Sequence, residues 1–225
     1  KVLEIFGDDA LQTESSNPFK GNLDIAKFKD VIKTYGADKV AFVRMEATTN
    51  LIGGQPFSLA NLHEVREVAT KHNIPLIVDC SLISENAYFI KIREDGYQNK
   101  TIKEIVYEMF SFVDGCTMSS KKDGVVNIGG FIGLRSRELF EKASVFNIVY
   151  EGYITYGGMA GRDMGALSVG LKESTEFDFL RQRIGQIEYL GKLLKDYGVP
   201  VQEPFGGHAI FVDAKRFLSH IPKEQ

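Results

Sequence analysis

The sequence predicts an α/β fold, a mostly parallel sheet with helices on both faces, making up one large domain followed by the start of a smaller one. Three observations carry this expectation. Short apolar, strand-like runs alternate along the chain with segments of helical period. The run Pro75 to Asp79 is apolar up to its final carboxylate, as in strands buried on both faces. With 225 residues and 44% hydrophobic side chains, the chain can bury a sizeable core without disulfide staples.

In chain order, Ile25, Phe28, Ile32 and Tyr35 recur at helical spacing, with Asp24 placed to cap and Gly36 to stop an amphipathic helix. Val40 to Glu46 reads as a buried strand, and Asn50 to Pro56 as a turn. Ser58 can cap a second helix whose apolar face is Leu59, Leu62, Val65, Val68 and Ala69. After the strand Pro75 to Asp79 come a helical Lys103 to Phe110, a strand at Gly115 to Met118, and an apolar Val125 to Leu134 with two adjacent glycines. Beyond Glu151 the texture changes: Tyr156 to Asp163 is a glycine-rich link and Met164 to Leu171 is helical. A long helix is expected from Phe177 to Tyr197, with Leu180, Ile184, Ile187, Leu190 and Leu194 on one face and Gly198 to end it. Such a length suits a bridge between domains. The expected division is therefore a large domain over 1–175, lacking an N-terminal portion, and a bridging helix with the start of a small domain over 176–225. His208 to Asp213 would be that domain's first strand.

Composition removes several function classes. Apolar stretches are interrupted by charge well before the roughly 18 residues a bilayer span needs, and Lys1 to Asp9 lack a signal-peptide pattern, so a cytoplasmic protein is expected. A net charge of -3 leaves no basic stripe for nucleic acid, so the expected partner is a small molecule. Cys80 and Cys116 form neither a disulfide framework nor a zinc spacing and read as buried thiols; His and Cys spacing gives no metal cluster. His208, entering a strand, reads as a packed core residue, His63 as a surface residue, and His72 as a partner of a helix C-terminus.

The chemistry gathers on two segments. Asp79 sits at the carboxyl end of Leu76-Ile77-Val78, where open parallel sheets bind ligands. In the Ser- and Gly-rich bend Ser119 to Gly130, Lys121 and Lys122 stand side by side. Alone, the aspartate reads as a cap or surface charge and the lysines as solvated charge. Together they are the two groups pyridoxal phosphate most needs: an amine for the imine and a carboxylate to keep the pyridine nitrogen protonated. Asn50 follows a strand upstream, where it could donate to the cofactor's phenolic oxygen, and Ser119 with nearby backbone N–H groups could hold phosphate.

Thr49 to Pro56, Glu85 to Lys91, Ser119 to Gly130, Tyr156 to Met164 and Gly206-Gly207-His208-Ala209 with Phe211 to Ala214 together resemble the beta-eliminating lyases, the family of tyrosine phenol-lyase and tryptophanase. The resemblance runs through essentially the whole chain. It implies a fold-type-I pyridoxal 5'-phosphate enzyme, a homo-oligomer (dimer or tetramer) activated by K+ or NH4+, that splits an aromatic amino acid into its ring compound, pyruvate and ammonia. Position by position, it implies Lys122 as the cofactor anchor and alpha-proton base, and Asp79 as the partner of the pyridine nitrogen. Asn50 would contact cofactor and substrate, Ser119 the phosphate, and Lys121 would lie beside the cofactor. Tyr156 would line the substrate neighbourhood, and the Asn127 carbonyl would bind the monovalent cation.

Two departures qualify the resemblance. Where the family carries an arginine three residues after the aspartate, beside the cofactor phenolate, this chain has Leu82, and Ser120 replaces a smaller residue. The family's phosphate-cradling loop, stacking aromatic residue, general-acid tyrosine and substrate-binding arginine fall in regions before Lys1 or after Gln225. The chain thus resembles the central part of a longer polypeptide and is expected to bind the cofactor poorly as it stands. Other expectations are a cysteine or S-substituted cysteine lyase, an aminotransferase, or a cofactor-poor, non-catalytic relative.

Overall fold

The structure is a computed structural model and describes residues 1–222. Four strands, β1 (Val43–Glu46), β2 (Leu76–Asp79), β3 (Gly115–Ser119) and β4 (Gly130–Leu134), lie side by side in that order. The first three run parallel, and β4 runs antiparallel to β3. The register puts Glu46 beside Asp79 and Asp79 beside Thr117, so the carboxyl ends of three strands share one edge.

Helices make the crossovers that parallel strands require. α1 (Ile25–Tyr35) precedes β1, and α2 (Leu59–Lys71) joins β1 to β2. Two helices, α3 (Ile83–Arg93) and α4 (Ile102–Ser111), join β2 to β3. The expected caps are in place: Asp24 accepts the Lys27 N–H and Ser58 that of Asn61. Thr101 and Glu104 form a reciprocal capping box at α4. Leu62, Val65, Leu76, Val78, Ile102, Ile105 and Met109 are buried together between sheet and helices, each contributing roughly 1.5–3 kcal/mol of transfer free energy. Cys80 and Cys116 are free, buried thiols.

α3 has no amphipathic stripe because residues 83–90 are buried on every side. After β4 come α5 (Arg137–Tyr150), α6 (Gly161–Glu173), α7 (Phe177–Asp196) and a short α8 (Ala214–Phe217). α7 packs on α3 through its first half: Leu180 and Ile184 are buried, and Phe177 stacks on Tyr88 at 5.5 Å. Further along, Tyr189, Leu190 and Leu193 are exposed, while Ile187 and Leu194 are half-buried.

His208 to Asp213 does not form the expected strand. Only a single bridge, Val201 to Val212, is made there. A strand exists by pairing, and no second strand lies beside this segment among the described residues. The segment is tied instead to the first residues of the chain. Buried Lys20 donates to the carbonyls of Gln12 and Glu203, the Glu203 N–H donates to the Thr13 carbonyl, and Thr13 Oγ1 donates to Asp213 Oδ2 at 2.7 Å.

Candidate active site

Asp79 ends β2, and its carboxylate turns back on its own chain. Oδ1 accepts the N–H of Ser81 at 3.1 Å and its hydroxyl at 2.7 Å, the local turn that aspartates favour. Among the described residues Oδ2 has only a long contact, 3.7 Å, with the Arg44 guanidinium on β1. Ser81 then reaches the neighbouring loop: its Oγ accepts the Ser119 N–H at 2.9 Å, and its carbonyl accepts the Asp123 N–H at 3.1 Å. One serine therefore fastens the aspartate to both ends of the segment that carries the lysines.

Within that segment Lys121 and Lys122 are exposed, and neither ammonium is paired among the described residues. The hydroxyl of Ser119 likewise makes no hydrogen bond among them, while Ser120 is buried with its hydroxyl unpartnered. Asn127 is exposed further along the loop. Tyr156 is exposed and opens a turn closed by the Met159 N–H on its carbonyl. The Met159 side chain covers Gly129, which brings that turn beside the end of the lysine loop. α6 approaches the same loop closely: a side chain at Gly170 would overlap the Gly124 carbonyl.

Asn50 follows β1 at the start of a 3-10 turn, Asn50–Ile52. Its N–H donates to Glu46 Oε1 at 3.2 Å, and Glu46 is itself held by Arg44 at 3.2 Å. The Asn50 carboxamide lies 3.2 Å from Nε2 of His208, whose Nδ1 is 2.7 Å from Glu85. His208 is thus a partly exposed member of this site, not the core residue its sequence position suggests. The chain reaches there because Gly207 has no side chain; a Cβ would overlap the Glu85 carboxyl.

Glu85 begins a buried ionic cluster. Nη2 of Arg183, on α7, donates to Glu85 Oε2 at 3.1 Å and to Asp123 Oδ1 at 3.0 Å. Asp123 Oδ2 accepts the N–H groups of Ser84 and Glu85 at 2.8 and 3.3 Å. Burial raises the Asp123 carboxyl to about 6; Arg183 opposes that rise, and Glu85 adds to it. Leu82, the position of interest three residues after Asp79, is buried at the N-cap of α3, its carbonyl accepting the Thr48 hydroxyl at 2.9 Å. It offers no side-chain donor.

Ser81, Glu85, Asp123, Arg183 and His208 were not assigned to the site by sequence reasoning. Ser81 carried a signal, since an aspartate followed two residues later by serine is a common local turn. For Asp123 and Arg183 there was none, because their meeting depends on how α7 packs. The donor set fits the cofactor implied by the resemblance: among the described residues, a carboxylate with one oxygen fixed and one nearly free, an unpaired amine, and an unbonded hydroxyl lie at or just after the ends of strands that share one sheet edge. Among the described residues no group of three or more His, Cys, Asp or Glu could hold a metal ion.

Comparisons with known proteins place the chain in a family. Residues 4–220 match the family model described as beta-eliminating lyase. A Trichomonas vaginalis protein named "probable beta-eliminating lyase" is 56% identical over 100% of this chain and 49% of its own length. A tyrosine phenol-lyase of Fusobacterium nucleatum is 51% identical over 99% of this chain and 48% of its own length. The chain therefore spans about half the length of the curated relatives it matches. A solved structure from an Exiguobacterium species, described as a candidate aromatic amino acid beta-eliminating lyase/threonine aldolase, superposes with a TM-score of 0.55 at 17% identity. That superposition covers 74% of this chain and 42% of the other, a likeness of fold.

Proposed function

The chain belongs to the beta-eliminating lyase family, and on that premise we propose that it carries pyridoxal phosphate on Lys122 and serves the β-elimination of an aromatic amino acid, with tyrosine the first substrate to test. The observation that supports this most directly is the Ser81 bridge, which ties Asp79 to the lysine loop. When bound, the cofactor supplies an electron sink for the pair left behind as a proton leaves the substrate's alpha carbon.

The chain's own residues do the rest. Asp79, with Oδ1 fixed by Ser81, offers Oδ2 to a protonated ring nitrogen through a charge-assisted hydrogen bond. Lys122, exposed and unpaired, anchors the cofactor and, once released, takes the alpha proton. His208 holds one end of the Asn50 carboxamide and leaves the other for a cofactor oxygen or the substrate carboxylate. Ser119 serves the phosphate, Lys121 adds positive charge beside it, and Tyr156 lines the substrate side. The Asn127 carbonyl is the proposed ligand for K+ or NH4+. A homo-oligomer, dimer or tetramer, and a cytoplasmic setting complete the proposal; no helix among the described residues is long and apolar enough to cross a membrane.

Borohydride reduction of the full-length protein in the presence of pyridoxal phosphate, followed by peptide mapping, tests the anchor. The expected label lies on Lys122 and disappears in Lys122→Arg. An unlabelled Lys122 in the wild type would refute the assignment. A second reading rests on Leu82, which leaves the cofactor phenolate without the family's cationic neighbour: a cysteine-type lyase, an aminotransferase, or a non-catalytic relative. Product analysis with tyrosine, tryptophan and S-alkyl cysteines separates these, since phenol, indole, thiol and amino-group transfer each leave a different product.

A further inference from the structure

We infer that Asp123 is a positioning residue for Lys122: its buried carboxylate caps α3 from outside that helix and holds Arg183 of α7, so that the lysine loop presents Lys122 rather than Lys121 to the cofactor. This rests on the proposal that Lys122 is the anchor. It concerns a residue for which neither the family likeness nor the composition of the loop assigns a role.

The first turn of any helix leaves backbone N–H groups without helical partners. The N-cap of α3 is Leu82, whose side chain can accept nothing, and it makes no side-chain cap. Asp123 Oδ2 fills that role from another part of the chain, taking the Ser84 and Glu85 N–H groups. Its Oδ1 takes Arg183, and its own N–H goes to the Ser81 carbonyl. One residue is thereby fixed by three elements: the turn after β2, the start of α3, and α7. The peptide that joins it to Lys122 is held at both ends, since the Lys122 carbonyl accepts the Val125 N–H at 3.0 Å while the Asp123 N–H goes to Ser81.

Those anchors begin at the peptide directly after Lys122, whose side chain is exposed, while Lys121 lies one residue further from them. Two adjacent lysines of equal intrinsic chemistry can be distinguished only by where the backbone aims them. The carboxylate that sets this aim is wholly buried and shares a single guanidinium with buried Glu85. Such a cluster holds its geometry stringently, because losing one partner leaves another charge buried and uncompensated.

A purely structural role for Asp123 would lower stability in a variant without changing which lysine reacts. The test is therefore the ratio of label on Lys122 to label on Lys121 after borohydride trapping with pyridoxal phosphate, read from fragment-ion spectra of the full chain. Wild type is expected to favour Lys122 by about tenfold, the scale of one charge-assisted hydrogen bond. In Asp123→Ala the two lysines should come within about twofold of each other. Asp123→Asn keeps an acceptor for α3 but loses the ion pair, and should fall between them. Val65→Ala, a core change remote from the loop, should lower the melting temperature and leave the ratio intact. Amide exchange provides a cofactor-free reading: the Ser84 and Glu85 N–H groups should lose protection in Asp123→Ala. A wild-type preference that persists unchanged in both Asp123 variants overturns the inference while Lys122 stays the anchor. A wild type in which neither lysine is labelled removes the anchor assignment, and the inference with it.

Discussion

The Ser81 hydroxyl donates to Asp79 and accepts the Ser119 N–H, so its side chain links the carboxylate to the start of the lysine loop, while its backbone carbonyl takes the Asp123 N–H. Ser81→Ala should cost about 1–2 kcal/mol, measured by urea denaturation, and lower cofactor trapping on Lys122 several-fold, with Ser81→Thr restoring both. Equal trapping in Ser81→Ala would show that the bridge is incidental. At Asp123 the sign of a pH effect follows from burial. Its folded value, about 6, lies above the ordinary 3.8, so the folded protein binds the proton more tightly than the unfolded chain. The stability it contributes is complete below about pH 4 and is lost as pH rises through about 6. Between those limits, Asp123→Asn should gain on the wild type by on the order of 2 kcal/mol; a gap independent of pH would contradict this. Leu82→Arg should shift the absorbance of the bound cofactor by placing a cation near its phenolate, and an unchanged spectrum and elimination rate would deny that position any influence. The positions of Asp79 at a strand end and of Lys122 in a bend were legible in the sequence, and the roles proposed for them come from the family resemblance, whereas Asp123 looked like one more loop charge.

α3 shows why an element can escape sequence reading. A helix buried on every side has no polar face to set against an apolar one, so the periodicity that reveals α1 and α2 is missing. Its cap is equally hidden, being supplied from the lysine loop. The segment 208–213 errs in the opposite direction, with strand-like residues but no neighbour to pair with. α6 depends on a glycine in its interior, where helical propensity argues against one. Gly170 is there because the helix crosses the Gly124 carbonyl too closely for any side chain. Gly170→Ala, which would improve propensity in an isolated helix, should instead destabilise the protein by about 2 kcal/mol or more, as overpacking does. Thermal melting checks the sign; a stabilised variant would mean that α6 is free to move away from the loop.

Across the whole molecule, the two ends of the described chain are stitched together by Lys20, Thr13, Glu203 and Asp213. Burial lowers the Lys20 ammonium from its ordinary range, with Asp9 and Glu203 opposing. Lys20→Met would orphan two carbonyls and should cost roughly 2–4 kcal/mol. Amide exchange should then quicken in both segments at once, around Thr13 and around Glu203; quickening in one alone would mean that they are not coupled. The sequence by itself determined the α/β class, the capped amphipathic helices and the strand ending at Asp79, because periodicity and capping are local and each residue reports its own surroundings. It also placed the lysine pair and the aspartate that the proposed chemistry uses. Only the tertiary structure decided that Ser81 joins them, that Asp123 reaches across to α3 and Arg183, and that His208 stands between Glu85 and Asn50. Those contacts link residues far apart along the chain, and nothing in a local pattern records which distant partner packing will bring.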